Sequence, residues 1–256
     1  MNETNSRDEL HLPANLPAFL LPGWGLGRGP LEAVFAGSRW RLLDLPGAAE
    51  ADANNAAAIP AHFEAAAHAI LERLPPRAHL GGWSLGGMLA LRCALLAPER
   101  IQSLLLIGTT PSFLNRPGWD WGRPPEELAA FRAKVREDYA ALLPRFIGSF
   151  CRGDRHAGTA QWLRERASPI SGAALDAGLG WLEEADLRAA VQAHPPTCPV
   201  TLAHGEKDPL MPLAVAHWFR EHLPQARLRV FPGRAHAPFV PETPAESLFL
   251  RECALP

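Results

Sequence analysis

Between residues 79 and 97 a short apolar run, His79 to Trp83, passes directly into a stretch of small and apolar residues, Leu85 to Ala97, that Pro98 closes. The junction reads Gly82-Trp83-Ser84-Leu85-Gly86. A strand that turns straight into a helix over G-x-S-x-G sets its serine on a sharp, strained turn, and the flanking glycines leave the space that Cβ atoms would fill. No other feature constrains the chain as much, because it calls for a strand–turn–helix unit in a sheet whose carboxyl edge is open.

The neighbouring segments fit that demand. Pro17 to Leu21 is a short apolar strand ending in Pro22-Gly23-Trp24-Gly25, and Arg39 to Leu45 is a second strand ending in Asp44-Leu45-Pro46-Gly47. Ile59 to Leu74 carries alanine and leucine at helical spacing, and Ile101 to Ile107 is an apolar run of the kind covered on both faces in a parallel sheet. This alternation predicts an α/β fold with a mostly parallel, doubly wound sheet.

From about residue 112 to 193 the alternation stops. Helical patterns follow one another over Pro124–Phe150, Thr159–Arg166 and Gly172–Leu187. Strand and helix signals then resume at Cys198–His204, Leu213–Leu223, Arg227–Phe231 and a last helix from about Thr243 to Cys253. The expected organisation is a core of residues 12–111 and 194–256, a helical cap over 112–193, and a loose leader at 1–11. No repeat is visible, and the only biased stretch is alanine-rich, near Ala56.

A serine hydroxyl is a poor nucleophile at neutral pH, so Ser84 needs a base, and the base needs a third group to fix its tautomer. After the helical stretch, Leu202-Ala203-His204-Gly205-Glu206-Lys207-Asp208 runs from strand into loop, and Gly233-Arg234-Ala235-His236-Ala237-Pro238 follows the next strand. The order Ser84, Asp208, His236 is that of the α/β-hydrolase fold. His62, His68, His217 and His222 fall on helical patterns and His204 comes too early in its loop. Glu206 and Asp186 are the rivals to Asp208. The oxyanion of acyl transfer needs two backbone N–H donors, and the amides of Leu85 and Trp24 occupy those places.

Composition removes other classes. With 25 Lys+Arg against 27 Asp+Glu the formal charge is −2, which offers no global field for nucleic acid or an anionic membrane. No segment approaches the roughly 18 uninterrupted apolar residues of a membrane helix. The four cysteines, Cys93, Cys151, Cys198 and Cys253, lack paired spacing and read as free thiols. The glycines at 23, 25, 27 and 29 fail the dinucleotide fingerprint, because the third glycine counted from Gly25 falls on Pro30. No metal-ligand motif is present. The expectation is a cytoplasmic monomer that needs no cofactor or metal.

Four runs carry a resemblance over nearly the whole length: Gly23-Trp24-Gly25-Leu26, Leu43-Asp44-Leu45-Pro46-Gly47, Gly82-Trp83-Ser84-Leu85-Gly86-Gly87 with Pro98-Glu99-Arg100, and Ala235-His236-Ala237-Pro238-Phe239. In them the chain resembles the pimeloyl-acyl-carrier-protein methyl ester esterases of biotin synthesis. The resemblance implies a serine carboxylesterase with Ser84, Asp208 and His236 as triad and acyl-carrier protein as partner. It implies a channel lined by Phe113, Phe131 and Phe146, with Trp83 and Leu26 near the acyl entrance. It also implies cap arginines that hold the carrier, drawn from Arg132, Arg136, Arg145, Arg152, Arg155, Arg164 and Arg166, with Arg145 and Arg155 as the chosen pair. Two departures stand out: Pro22-Gly23 replaces the family's His-Gly, and Ala48-Ala49-Glu50 replaces a Gly-x-Ser run. The rival readings are an esterase or C–C bond hydrolase for small free substrates, and a non-catalytic ligand receptor on the same scaffold.

Overall fold

The computed structural model describes residues 16–48 and 59–242. The expected leader, the alanine-rich stretch at Ala56 and the expected last helix lie outside the described residues. Among the described residues, β1 (Ala18–Leu21), β2 (Trp40–Leu42), β3 (Ala78–Trp83), β4 (Ile101–Ile107), β5 (Val200–Gly205) and β6 (Arg227–Phe231) form one sheet in the order β2-β1-β3-β4-β5-β6. Every pairing is parallel.

The central strands are buried on both faces, which explains their unbroken apolar runs. Successive side chains alternate between two cores: Phe19 and Leu21 of β1, with Leu104 and Leu106 of β4, enter one, while Ala18, Leu20, Leu105 and Ile107 enter the other. The helices α1 (Gly29–Phe35), α2 (Phe63–Arg73), α3 (Leu85–Leu96) and α8 (Leu213–His222) belong to the strand–helix alternation. Strand order reverses between β1 and β3, and ligands of open α/β sheets bind beyond the carboxyl ends of the strands at such a point.

Four helices separate β4 from β5: α4 (Pro125–Phe150), α5 (Thr159–Arg166), α6 (Gly172–Glu184) and α7 (Arg188–Ala193). Two of the helical patterns read from the sequence change form. The run Pro124–Phe150 is broken at Asp138, whose backbone is extended (φ −158°, ψ 89°), and the Asp138 carboxylate accepts the Ala141 amide to cap the second segment. The run Gly172–Leu187 stops at Glu184, and the chain re-enters helix at Arg188. Arg132 and Arg136 of α4 both grip Asp176 of α6 through two hydrogen bonds each, which cross-braces the insert. Cys93, Cys151 and Cys198 are free.

Candidate active site

Ser84 sits between the last residue of β3 and the first of α3 with φ 56° and ψ −120°, the only non-glycine residue with positive φ among those described. Such a conformation costs on the order of 1–3 kcal/mol and persists only where its surroundings over-determine it. Here they do. A Cβ on Gly82 would lie 2.2 Å from the Gly86 carbonyl, and one on Gly86 would lie 2.3 Å from the Pro22 carbonyl oxygen. The second contact also shows how closely the chain leaving β1 runs over the first turn of α3. The Leu85 amide opens that turn and, like other first-turn amides, has no acceptor four residues back in the helix.

Asp208 follows β5. Its Oδ1 accepts the amides of Leu210 and Met211, both at 2.9 Å, so the carboxylate is fixed by its own turn. Its Oδ2 lies 2.8 Å from His236 Nδ1, and both side chains are buried. A carboxylate only accepts, so Nδ1 carries the proton and Nε2 is left as the basic nitrogen. Glu206 instead accepts the Gly233 amide, and Asp186 is held by Arg188.

The loop bearing His236 is tied at several points. The Trp83 indole N–H donates to the His236 carbonyl at 3.0 Å, and the His236 amide donates to the Phe150 carbonyl at 3.3 Å. The Ala235 amide donates to Asp154, which also forms a buried ion pair with Arg234 at 3.2 Å. His204 is buried on β5 with Nε2 2.7 Å from the Met211 carbonyl, so that nitrogen carries the proton. Burial lowers its pKa, and its Nε2 stands 3.7 Å from Asp208 Oδ2.

Ser84 and His236 open onto one cavity of about 320 Å³. Gly23, Trp24 and Trp83 border it on the sheet side, and Phe113, Phe131, Phe146, Leu179 and Leu182 give it apolar walls from the segment between β4 and β5. The polar groups on its wall besides Ser84 and His236 include Ser149, Arg152 and the ion pair Arg123–Glu127.

Residues 24–243 match the family model described as alpha/beta hydrolase fold. The chain belongs to the α/β-hydrolase family. It is 38% identical over 229 residues to the pimeloyl-[acyl-carrier protein] methyl ester esterase of Nitrosomonas europaea, covering 86% of this chain and 88% of that one. It is also 38% identical over 234 residues to the protein of the same name from Aromatoleum aromaticum, covering 86% and 91%. Among solved structures, an esterase from Exiguobacterium antarcticum superposes with a TM-score of 0.77 at 22% identity, covering 93% of this chain and 92% of that one.

Within this hydrolase fold, three of the side chains expected to meet substrate or carrier do not border the cavity. Leu26 is fully buried in the core with Leu31 and Val34, and does not border the cavity. Arg145 is exposed on α4, away from the cavity wall. Arg155 is ion-paired with Glu242, and its amide donates to the Gly233 carbonyl. Arg132 and Arg136 are engaged by Asp176, which leaves them as braces of the insert. Sequence reasoning missed Phe150, whose ring stands 5.5 Å from that of His236, as well as Leu179 and Leu182. Helical periodicity marks these three as apolar-face residues without telling a cavity wall from a packed core.

Proposed function

We propose that this chain is a serine carboxylesterase that hydrolyses the methyl ester of pimeloyl-acyl-carrier protein, with Ser84 as nucleophile, His236 as base and Asp208 as the group that orients it. The observation that carries the chemistry is the Asp208–His236 bond at 2.8 Å beside a serine held at φ 56° on the same cavity. The relatives' shared name supports the substrate.

Ser84 Oγ attacks the ester carbonyl while His236 Nε2 takes its proton, and the Trp24 and Leu85 amides receive the oxyanion. Methanol leaves with the proton from His236. Water, deprotonated by the same nitrogen, then attacks the acyl-enzyme and releases the free carboxylate and Ser84. The imidazolium formed on the way is stabilised by Asp208. No metal or cofactor takes part in either step.

The apolar walls suit the methylene chain of a pimeloyl group, and the carrier-bound thioester then stays outside while the distal ester reaches Ser84. Arg152, exposed and on the cavity wall, is the cation placed for the carrier's phosphate, with Arg145 as a second carrier contact on α4. The test is hydrolysis of methyl pimeloyl-acyl-carrier protein by the wild type and Ser84→Ala, with p-nitrophenyl butyrate in parallel. Carrier-ester cleavage lost in the variant supports the reading. Cleavage of the small ester alone would keep the triad and remove the substrate, and no reaction of Ser84 with a fluorophosphonate would remove both.

A further inference from the structure

Residues 22–25 leave β1 after Leu21 and form no further pairing in the sheet. Among the described residues, the hydrogen bonds made by residues 24–26 come from the helical insert rather than from the core. The Tyr139 hydroxyl of α4 donates to the Gly25 carbonyl. The Trp24 indole N–H donates to the Leu175 carbonyl of α6 at 2.9 Å. The Ser168 amide, between α5 and α6, donates to the Leu26 carbonyl at 2.9 Å.

The Trp24 ring is also boxed by the edges of Phe131, Tyr139 and Phe146 at 5.5, 5.6 and 5.2 Å. On the α6 side a Cβ at Gly178 would lie 2.6 Å from Trp24 Cδ1. The insert therefore holds this loop by its backbone and by its one large side chain.

We propose that Tyr139 is a positioning residue, whose hydrogen bond to the Gly25 carbonyl sets the aim of the Trp24 amide toward the oxyanion. The inference rests on the ester-hydrolase reading above. Gly25 has φ +87°, outside the range where sheet pairing or most side chains would stabilise it, so its orientation depends on contacts such as this one. Burial pushes the Tyr139 phenol above its usual range, which keeps it a neutral donor at any working pH. Tyr139 does not border the cavity, so it acts on the reaction through Trp24.

The experiment uses the full chain with p-nitrophenyl butyrate as substrate, butylboronic acid as a mimic of the tetrahedral adduct, and fluorophosphonate labelling of Ser84. Tyr139→Phe keeps the ring against Trp24 and deletes only the hydroxyl. Because the donor is misaimed and not removed, kcat should fall on the order of ten- to a hundredfold, less than the hundred- to thousandfold typical of deleting a donor. Boronate binding should weaken by a similar factor while KM stays within about twofold, the pattern of an interaction made only in the transition state. Gly178→Ala, which crowds the Trp24 indole from α6, should give the same split and carries the test should Tyr139→Phe fail to fold. Unchanged kcat and boronate affinity, or a raised KM at constant kcat, would overturn the assignment. A wild type that neither labels nor hydrolyses the ester would instead remove the esterase reading beneath it.

Discussion

Asp208 and His236 are joined through one carboxylate oxygen only: Oδ2 faces His236 Nδ1 at 2.8 Å, while Oδ1 is occupied by the Leu210 and Met211 amides. The carboxylate cannot swing away without giving up its own turn. In Asp208→Asn, a side-chain amide that turned its N–H₂ toward Nδ1 would favour the wrong tautomer of His236. The expected loss in kcat is on the order of 10⁴, as for the equivalent change in a serine protease. Ester hydrolysis and thermal unfolding measured together check this, and a loss below tenfold in a folded variant would remove Asp208 from its role.

The buried pair of Arg234 and Asp154 holds the loop that carries His236, since Asp154 also accepts the Ala235 amide at 2.8 Å. Removing the Asp154 carboxylate takes the acceptor from the Ala235 amide and leaves Arg234 paired with Glu242, also at 3.2 Å. Asp154→Ala should therefore lower stability by about 1–3 kcal/mol, read from urea unfolding. Wild-type stability in that variant would show that the pair is not a strut of the loop.

Asp176 links α4 to α6, and hydrogen bonds from the Arg132 and Arg136 guanidiniums hold its carboxyl well below the usual range. A carboxyl depressed by folding stabilises the protein above its unfolded pKa of about 3.9, and that contribution fades as pH falls below it toward the folded value. Asp176→Asn should unfold earlier than the wild type at pH 7, and the gap should narrow between pH 4 and pH 2. A gap independent of pH would mean that packing, not charge, joins the two helices.

The apolar cavity makes acyl length a direct test of the substrate reading. Each methylene buried contributes about 0.8 kcal/mol. A glutaryl methyl ester on the carrier, two methylenes shorter than pimeloyl, should then lose roughly 15-fold in kcat/KM. Competition between the two carrier esters measures the ratio. Equal turnover would show that the chain is not lodged between Phe131, Phe146 and Leu179.

Local rules made much of this architecture legible. The strand–Ser84–helix junction depends on contiguous residues, because the steric demand of the elbow falls on Gly82 and Gly86 themselves. The parallel strands were readable for the same reason: both faces of β3 and β4 are buried, so their apolar runs do not depend on a distant partner for interpretation. The break in α4 was not legible, since Asp138 and Tyr139 sit in an otherwise helical pattern. The roles of the cap arginines were not legible, because Arg132, Arg136 and Arg155 look alike in sequence and only their carboxylate partners, Asp176 and Glu242, separate them.

By itself the sequence determined the α/β alternation, the position of the helical insert and the chain order of Ser84, Asp208 and His236, all of which follow from periodicity and turn chemistry within a few neighbouring residues. Only the tertiary structure decided that Asp208 reaches His236, that Leu26 faces the core and not the cavity, and that Tyr139 holds the loop after β1. Those outcomes depend on which helix face turns inward and on contacts such as Tyr139 to Gly25, 114 residues apart, for which local pattern carries no signal.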